Sequence, residues 1–377
     1  MAEEVWMLQT KKADFKQIGA RFRIDPVTAR IIRNRGIEGE AAIDRYLNGT
    51  LDDLYDPMLL KDMERAVSIL CEAVDTGKKI RIVGDYDIDG VCSTYILLQA
   101  FERLGSDVDF EIPDRIKDGY GINESIIEQA HADGVEVILT CDNGISAFHQ
   151  VELAKKYGMT VVITDHHEVP LDGEKEKIPP ADAVIDPKQA DCPYPFPEIC
   201  GAVVAYKLVQ VLYARRGVPQ MEWLDLLEFA AIATVGDVMK LQDENRILVK
   251  YGLKKMAQTK NLGLRRLAEK NNLDLGAITA YHIGFVIGPC LNAGGRLKTA
   301  KEALALLRAQ SEEEAERLAE ELKELNDTRK DMTEQGTEAA KLQVESWYQK
   351  DKVLVVFLPA PRAASRRPRS WPRCPTA

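Results

Sequence analysis

The sequence predicts an α/β fold in which a mostly parallel sheet is flanked by helices. From residue 80 onward, short apolar runs with the pattern of buried strands alternate with segments of helical periodicity. This alternation is typical of a parallel sheet, because each parallel connection crosses over through a helix. Polar and ionisable residues follow several of the runs, as expected where the carboxyl ends of parallel strands form a ligand-binding edge. The predicted strands span residues 80–84, 108–112, 135–140, 160–164 and 183–185, and the helices between them span residues 91–104, 124–133 and 147–157.

The composition is that of an ordinary globular protein, with 377 residues of which 45% are hydrophobic and 29% are charged. A net charge of -10 argues against binding nucleic acid or an anionic membrane through overall charge, although a local basic groove is compatible with it. The seven cysteines are scattered and form no C-x-x-C, so the sequence predicts neither a disulfide framework nor a structural zinc site and favours the reducing cytoplasm. No apolar run has the length of a signal segment or a membrane span, which predicts no membrane partner.

Helical patterns occur before, within and after the predicted sheet, and they define three successive parts of the chain. Residues 1–60 have short helical patterns and predict a helical preface. Residues 61–300 hold the sheet, with a helical part at 199–283 and a small-residue loop at 284–297 that carries one Asn and one Arg. Residues 301–350 predict a connector dominated by a long charged helix, whose heptad-like apolar stripe would pack against another domain.

Two features mark the carboxyl-terminal end. Residues 353–358 form an apolar run that predicts a buried strand. Residues 351–358, which contain it, are predicted to be the start of a further domain. Residues 359–377 are rich in proline and arginine and contain no acidic residue, which predicts a disordered tail. The tail is either a basic nucleic-acid-binding segment or the product of a truncated or displaced reading frame. We favour the second interpretation, because the domain that the strand would open does not follow.

Three aspartates follow the first predicted strand at alternate positions, namely Asp85, Asp87 and Asp89. Carboxylates this close repel one another unless a cation lies among them. Divalent cations such as Mg²⁺ and Mn²⁺ accept oxygen ligands or mixtures of oxygen and imidazole. This turn therefore predicts a metal site, and the alternative is an Asx-rich turn with solvated charges.

Further residues of metal-ligating type follow later elements. Asp142 follows the third strand, His166 and His167 follow the fourth, and Asp237 ends an apolar helix. Two divalent cations about 3.5–4 Å apart can clamp a phosphate and generate hydroxide for attack on phosphorus. Each residue also has a simpler interpretation: a strand-ending turn for Asp142, hydrogen-bonding histidines in a loop, and a helix cap for Asp237. Taken together, their recurrence after successive elements predicts a metal-dependent hydrolase.

Cationic and small residues are candidates for binding phosphate. Arg296 and the backbone of Gly294 and Gly295 could bind phosphate oxygens, and Asn292 belongs to the same stretch. The alternative is a helix entry with a salt bridge. Arg115, in a turn-rich connector after the second strand, is a further candidate for reaching a phosphate backbone.

At these residues the sequence resembles the DHH phosphoesterase superfamily and, within it, the bacterial single-strand-specific 5′→3′ DNA exonucleases. The resemblance covers residues 30–358 and is specific because six motifs occur together. These motifs are Gly84-Asp85-Tyr86-Asp87-Ile88-Asp89-Gly90, Asp118-Gly119-Tyr120-Gly121-Ile122-Asn123, Cys141-Asp142-Asn143-Gly144-Ile145, Asp165-His166-His167, Gly236-Asp237-Val238-Met239 and Asn292-Ala293-Gly294-Gly295-Arg296.

The resemblance implies a role for each motif residue. The implied ligands of one or two Mn²⁺ or Mg²⁺ ions are Asp87, Asp89, Asp142, His166 and Asp237, with Asp142 as the bridge. Asp85 is implied as a further ligand or supporting acid. His167 and Arg296 would hold the scissile phosphate, and Asp165 would orient the histidines. Residues 61–300 would then be the catalytic domain, and residues 351–358 would begin a DHH-associated domain.

The implied activity is metal-dependent 5′→3′ hydrolysis of single-stranded DNA in repair and recombination. Two alternatives stay open: a phosphodiesterase for short oligonucleotides, cyclic dinucleotides or pyrophosphate, and a nucleic-acid-binding protein without catalysis. Helicases or single-strand-binding proteins would be the protein partners, and no segment of the sequence identifies them. Members of this branch continue into an associated domain and usually an oligonucleotide-binding barrel, so we expect weak processive digestion from a chain that carries the first domain alone.

Overall fold

A computed structural model describes residue 7 and residues 11–115, 121–347 and 353–358. The chain divides into two compact units, Met1–Leu325 and Asn326–Ala377. The first unit contains the predicted sheet. Two stretches named in the sequence analysis lie outside the described residues: residues 116–120, which include the first three residues of the motif at 118–123, and the predicted tail at 359–377.

A five-stranded, fully parallel sheet forms the centre of the first unit, as the sequence predicts. The strands of the described chain are β1 (Ile80–Val83), β2 (Val108–Glu111), β3 (Val137–Cys141), β4 (Thr160–Thr164), β5 (Leu171–Asp172), β6 (Lys175–Glu176) and β7 (Ala183–Ile185). The order of strands in the sheet is β2-β1-β3-β4-β7, and β5 and β6 form a small separate hairpin that the sequence did not predict.

Helices surround the sheet and form most of the remaining described structure. The first seven are α1 (Phe15–Phe22), α2 (Pro26–Asn34), α3 (Glu40–Asn48), α4 (Met63–Asp75), α5 (Ile88–Arg103), α6 (Glu124–Ala132) and α7 (Phe148–Lys156). The next five are α8 (Gly201–Arg215), α9 (Gln220–Leu224), α10 (Leu227–Gly236), α11 (Asp243–Met256) and α12 (Leu262–Lys270). The last four are α13 (Ala280–His282), α14 (Gly288–Leu297), α15 (Lys301–Arg308) and α16 (Glu312–Trp347), and a π-helical turn at Ile283–Ile287 joins α13 to α14. Across the described ranges, no helix combines the length and the apolar content needed to cross a bilayer.

Apolar side chains cover both faces of the sheet. Ile80 and Ile82 of β1 belong to a large core cluster with residues of α5, α8 and α10. The intervening face, represented by Val83 and by Ile138 of β3, packs with residues of α6 and α7. All four β1 residues are buried, which explains why the strand appears in the sequence as a continuous apolar run around one arginine.

The predicted small-residue loop at 284–297 is wrong, because these residues are helical. Glycine normally weakens a helix interior, which is why the sequence suggested a loop. Here the glycines allow close packing that a side chain would prevent. A Cβ on Gly295 would lie 2.2 Å from the carbonyl oxygen of Tyr86, and one on Gly294 would lie 2.6 Å from that of Thr299.

The predicted buried strand at 353–358 is also wrong. These residues are described without strand structure, and Val353, Val355 and Phe357 are each at least 80% exposed. A strand requires hydrogen bonds to a neighbouring strand, and the described part of the second unit offers none. Apolar composition alone therefore misled the prediction.

The chain reverses its direction across the sheet next to β1. From β1 it proceeds to β2 on one side, whereas β3, β4 and β7 follow on the other side. The β1 and β3 strands are neighbours in register, with Val83 opposite Thr140. In an open α/β sheet, ligands bind at such a switch point beyond the carboxyl ends of the strands. The acidic turns after β1 and β3 flank this position.

Candidate metal centre

The turn between β1 and α5 brings its three aspartates together. Asp87 caps α5, because its Oδ1 accepts hydrogen bonds from the backbone N–H groups of Asp89 (2.9 Å) and Gly90 (3.1 Å). A Cβ on Gly90 would lie 2.4 Å from the carbonyl oxygen of Asp85, so the turn can close this tightly only with glycine there. The result is a compact acidic turn at the switch point of the sheet.

Asp89 is held by a helix that lies far away in the sequence. Its two carboxylate oxygens accept hydrogen bonds from the backbone N–H groups of Gly201 (2.6 Å) and Ala202 (2.8 Å), at the first turn of α8. Helix N-termini carry unsatisfied N–H donors and partial positive charge, and both favour an ionised carboxylate. The α8 N-terminus therefore fixes the Asp89 carboxylate in place.

Asp142 follows β3 in an unusual backbone conformation, with φ 61°. Its neighbour Asn143 donates hydrogen bonds to the carbonyl oxygens of Val83 (3.0 Å) and Cys141 (2.9 Å), so this amide ties the turn to β1 and β3. A Cβ on Gly201 would lie only 2.7 Å from the Asp142 Cβ. The α8 helix thus presses directly against Asp142 as well as holding Asp89.

The segment after β4 places its two histidines differently. Asp165 is buried, and its Oδ1 lies 2.7 Å from Nδ1 of His167 and accepts the backbone N–H of His166 at 2.8 Å. Its other oxygen accepts the N–H of Ile145 at 2.8 Å. Asp165 therefore orients the His167 ring and fixes the local backbone, whereas the His166 ring is left to contact the other acids.

His166 is the point at which the acidic residues converge. Its Nε2 lies 3.1 Å from Oδ1 of Asp142, 3.4 Å from Oδ2 of Asp89 and 3.9 Å from Oδ2 of Asp237. Asp237 follows the last residue of α10 as its C-cap. Acids from three separate segments of the chain thus meet around the imidazole of a fourth.

The donor atoms form three overlapping groups in which all ligand atoms lie within 4.8 Å of one another. These groups are Asp85 with Asp87 and Asp142; Asp89 with His166 and Asp237; and Asp142 with His166 and His167. Asp142 and His166 each belong to two of the groups. Of the two, the carboxylate of Asp142 has two oxygens, which suits it to be shared by two cations.

Buried polar atoms provide a test of whether a cation fits. Oδ1 of Asp85 is buried and has no hydrogen-bond partner among the described residues. Buried polar atoms are normally paired, so this oxygen is suited to an additional ligand. A donor set of carboxylate oxygens and imidazole nitrogens matches the preferences of Mn²⁺ and, through its oxygens, of Mg²⁺. The residues present fit such cations.

Protonation equilibria reflect the crowding of the acids. Burial, followed by the charge of Asp87, raises the pKa of Asp85 to about 7. Burial and the charges of Asp89 and Asp87 raise the pKa of Asp237 to about 7. Burial likewise raises the pKa of Asp142 above its ordinary value. A bound cation would reverse these effects by favouring the ionised forms, so metal binding and deprotonation are coupled at this site.

The two histidines titrate in opposite directions. Burial lowers the pKa of His166, which favours the neutral ring that can ligate a metal. Burial also acts to lower the pKa of His167, but the hydrogen bond and the charge of Asp165 outweigh it and raise this pKa to about 9. His167 is therefore a cation at neutral pH.

A cavity of about 290 Å³ adjoins the acidic turn and contains most of the predicted phosphate-binding residues. Asn292, Gly295 and Arg296 of α14 line it together with Asp87 and Arg115, whose guanidinium lies 5.3 Å from the centroid of the Tyr86 ring. Gly294 does not reach this cavity, because it packs against Thr299 and Leu322. The backbone N–H groups of Gly294 and Gly295 lie in the body of α14, where helical hydrogen bonds engage them, so the predicted backbone phosphate site is not formed.

Sequence reasoning missed Asp186, which directly follows β7 at the same edge of the sheet. It is fully buried, and its Oδ2 has no hydrogen-bond partner among the described residues. Burial, and then the charge of Asp165, raises its pKa to about 7. Its position after the fifth predicted strand was the available signal, since acids also follow the first, third and fourth strands.

Comparison with known proteins places the chain among relatives that share this fold. Residues 79–234 match the DHH family, N-terminal domain. The chain is 37% identical over 341 residues to the single-stranded-DNA-specific exonuclease RecJ of Bacillus subtilis, an alignment that covers 90% of this chain and 42% of the relative. It is 37% identical over 324 residues to RecJ of Escherichia coli, covering 83% of this chain and 54% of the relative. The chain thus spans about half the length of the curated relatives it matches.

Solved structures agree with the sequence matches. A manganese-bound exonuclease RecJ superposes with a TM-score of 0.68 and 34% identity, covering 75% of this chain and 70% of that one. RecJ of Thermus thermophilus in complex with Mn²⁺ gives a TM-score of 0.71 and 30% identity, covering 90% of this chain and 46% of that one. The resemblance that the six motifs indicated is thereby confirmed. The chain belongs to the DHH family and, within it, to the RecJ proteins.

Proposed function

We propose that this protein is a metal-dependent phosphodiesterase that hydrolyses single-stranded DNA from its 5′ end. The observation that carries the proposal is the convergence of Asp89, Asp142 and Asp237 within 3.1–3.9 Å of the His166 imidazole, at the switch point of the sheet. Asp89 and Asp142 are buried and Asp237 is half-buried. Such a concentration of carboxylates is unfavourable in a site that serves only the fold, because the charges repel and are desolvated. A pair of divalent cations removes that penalty.

The overlapping donor groups suggest which cation each side chain would bind. Asp85 and Asp87 would hold one cation, Asp89, His166 and Asp237 would hold a second, and Asp142 would bridge them. When bound, such a pair of cations polarises the phosphate and supplies a hydroxide nucleophile at neutral pH. The two N–H groups at the α8 N-terminus would keep the Asp89 carboxylate correctly oriented for this role.

Phosphate binding would fall to cationic groups beside the metals. His167 carries a positive charge at neutral pH and is oriented by Asp165, which suits it to the scissile phosphate. Arg296 and Arg115 line the cavity next to Asp87 and would bind the phosphates around the cleaved bond. Asn292 contributes a buried Oδ1 that has no hydrogen-bond partner among the described residues, and this oxygen could accept a hydrogen bond from the substrate.

The choice of substrate draws on the relatives, which are single-stranded-DNA-specific exonucleases by name. Repair and recombination would be the corresponding processes. Helicases or single-strand-binding proteins stay proposed partners. We also propose a cytoplasmic location, which the six free cysteines of the described chain, five of them buried, support.

The test is a digestion assay in Mn²⁺ with 5′-phosphorylated single strands labelled at the 3′ end, a matched duplex, and di- to pentanucleotides. Wild-type protein should shorten the single strand progressively from its 5′ end and leave the duplex intact. Asp142→Asn should abolish hydrolysis and reduce Mn²⁺ binding in calorimetry. Asp172→Asn, which neutralises an exposed acid on β5, is the matched control and should change neither.

Three results would overturn the proposal. Hydrolysis that survives Asp142→Asn would place the chemistry elsewhere. Equal digestion of the duplex would remove the single-strand assignment. Cleavage confined to the di- to pentanucleotides would instead identify a phosphodiesterase for short substrates, the alternative that the sequence left open.

A further inference from the structure

One face of a single helical segment links the candidate metal centre to a pair of exposed aromatic rings. The helices α13 and α14 and the π-helical turn between them run without interruption from Ala280 to Leu297. Tyr281, Phe285 and Arg296 are exposed and Asn292 is partly exposed. Ile283, Ile287 and Leu291 between them are buried, so the four side chains share the solvent-facing side of the segment. Asn292 and Arg296 line the cavity beside Asp87.

The two aromatic side chains stand in solvent and are stacked on each other. Tyr281 is 64% exposed and Phe285 is 68% exposed. Their ring centroids lie 4.8 Å apart with an interplanar angle of 27°, so the rings are nearly parallel. The outer faces of the two rings are left in solvent by the described first unit. Apolar surface in water is unfavourable, so such rings are suited to bind a ligand.

The rest of the helix holds these rings in place. Ile283 and Ile287 are fully buried on the opposite side, and Gly284 approaches Val235 near the end of α10. At the start of the segment, the backbone N–H of Thr279 donates to Nδ1 of His282 at 3.0 Å, which closes a capping box around the turn that carries Tyr281. The rings are therefore presented on a rigid support rather than on a mobile loop.

The distance along the helix fits an extended nucleic-acid strand. Phe285 precedes Asn292 by seven residues, which corresponds to about 10 Å along a helix axis. A strand whose phosphate occupies the cavity at Asn292 and Arg296 would cross this distance within a few nucleotides. Stacking of bases on aromatic side chains beside a cationic phosphate track is the general mode of single-strand binding, and duplexes cannot use it because their bases are already stacked.

We propose that Tyr281 and Phe285 form a stacking platform for unpaired nucleobases of the strand whose phosphate lies in the cavity. This inference rests on the proposed function for the identity of the occupant. The platform selects single strands through their bases, whereas Arg115 and Arg296 act on the backbone charge that both single strands and duplexes carry. It thus supplies a source of specificity separate from the metal centre.

The experiment compares two labelled strands by fluorescence anisotropy in EDTA, so that no hydrolysis occurs. One is a twelve-nucleotide oligothymidylate, and the other is an abasic strand of the same length and charge. Wild-type protein should bind the oligothymidylate about tenfold more tightly than the abasic strand. The double variant Tyr281→Ala/Phe285→Ala should bind both strands with nearly equal affinity, because only the base-dependent part is lost.

Two further variants make the test sharper. Tyr281→Leu/Phe285→Leu keeps apolar area without π faces and should also lose the preference for bases. Met221→Ala removes a similarly exposed apolar side chain, 65% exposed on α9, and should leave the ratio of affinities unchanged. If the alanine or leucine variant retains the wild-type ratio, the stacking platform is disproved. Retention in the leucine variant alone would indicate a general apolar contact with the bases that does not need π faces.

Failure of the proposed function would be distinguishable from failure of the platform. A wild-type protein that prefers bases in EDTA but hydrolyses nothing in Mn²⁺ would disprove the proposed hydrolysis and support the platform. A protein that digests single strands while binding abasic and thymidylate strands equally would disprove the platform alone.

Discussion

Asp142 adopts the left-handed backbone conformation, with φ 61°, which costs a residue other than glycine about 1–3 kcal/mol. The surrounding structure holds it there through the side chain of Asn143 and the close approach of Gly201. Strained residues of this kind concentrate at functional sites, where they fix a side chain in a required direction. Here the direction is toward the imidazole of His166.

The pairing of Asp165 with His167 makes a prediction about pH. His167 has a pKa of about 9, so its cationic form prevails at neutral pH and is lost as the pH rises through that value. If this cation binds the scissile phosphate, kcat/KM should fall above pH 9. Asp165→Asn removes the charge that raises the pKa, so the fall should begin at least one pH unit lower. The measurement is a pH profile of kcat/KM on a 5′-phosphorylated single strand of DNA.

A matched variant separates this effect from general damage to the site. Asp182→Asn removes an acid that also accepts a backbone N–H, that of Val161, but it lies at the opposite end of β4. Its profile should coincide with that of the wild type. An unchanged alkaline limb in Asp165→Asn would contradict the assigned role of His167.

At the scale of elements, α8 organises the metal centre although it supplies no predicted ligand. Its first turn donates two N–H groups to Asp89, and its first residue packs against Asp142. Ligands from the turns after β1 and β3 therefore depend on a helix that begins more than 50 residues after β3. The glycine at position 201 is required by this packing rather than by backbone flexibility.

Gly201→Ala tests that packing. The added Cβ would lie 2.7 Å from the Asp142 Cβ and 2.9 Å from its Cα, so α8 must retreat from both acids. We expect a loss of about 1–3 kcal/mol in the free energy of unfolding, the usual range for overpacking, together with weaker Mn²⁺ binding. Gly284→Ala is the control, because its Cβ would meet Val235 at an ordinary 3.6 Å. Calorimetric unfolding and Mn²⁺ titration check both variants, and an unimpaired Mn²⁺ affinity in Gly201→Ala would refute the packing role.

A buried ion pair joins α8 to α11 on the side of the helical preface. Nζ of Lys207 lies 3.1 Å from Oε2 of Glu244 and donates to the carbonyl oxygen of Tyr55 at 3.0 Å, and both charged side chains are at most 1% exposed. The hydroxyl of Tyr194 donates to the same carboxylate. These contacts connect residues that precede β1 to the helical region that follows β7.

Lys207→Met should destabilise the protein by about 3–5 kcal/mol, because it leaves the Glu244 carboxylate buried without its cation. The double variant Lys207→Met/Glu244→Leu should be clearly less destabilised, since it removes both charges and keeps the apolar volume. Denaturant unfolding of the two variants provides the measurement. If the double variant is as unstable as the single one, lost packing rather than the unpaired charge accounts for the effect.

At the scale of the whole molecule, the acids of the metal centre couple folding, metal and pH. Asp85, Asp186 and Asp237 each have a pKa of about 7 in the metal-free fold against an ordinary value of 3.8. The native state therefore binds more protons than the unfolded state between these values. These three carboxyl groups therefore lower the free energy of unfolding as the pH rises from about 4 to 7. A group whose pKa is raised in the native state stabilises that state at low pH, and this stabilisation is lost as the pH rises through the raised pKa.

Mn²⁺ should reverse this dependence. Protons and cations compete for the same carboxylates, so the rise in Tm produced by Mn²⁺ should be larger at pH 8 than at pH 5.5. The apparent affinity should increase about tenfold per pH unit for each proton released. Differential scanning calorimetry with and without Mn²⁺ measures the effect, with Asp142→Asn as the control that should show little shift at either pH. An equal shift at both pH values would contradict the coupling.

The sequence by itself determined the succession of strands along the chain and proposed most residues of the candidate site. Apolar runs at 80–84, 108–112 and 160–164 predicted strands within a residue or two, because buried parallel strands are apolar on both faces. The acids and histidines after them could be selected because strand ends of one sheet share an edge. The family resemblance rested on the same motifs and was confirmed.

Only the tertiary structure decided the features that depend on distant contacts. The support of Asp89 by α8, the burial of Asp186 and the helix at 288–297 arise where segments far apart in sequence pack together. The glycines of α14 suggested a loop, because helix propensity depends only on local sequence. It does not include the close packing of Gly295 against the carbonyl oxygen of Tyr86. Likewise the apolar run at 353–358 forms no strand in the described chain, because a strand is completed by hydrogen bonds to a neighbour that sequence periodicity cannot supply.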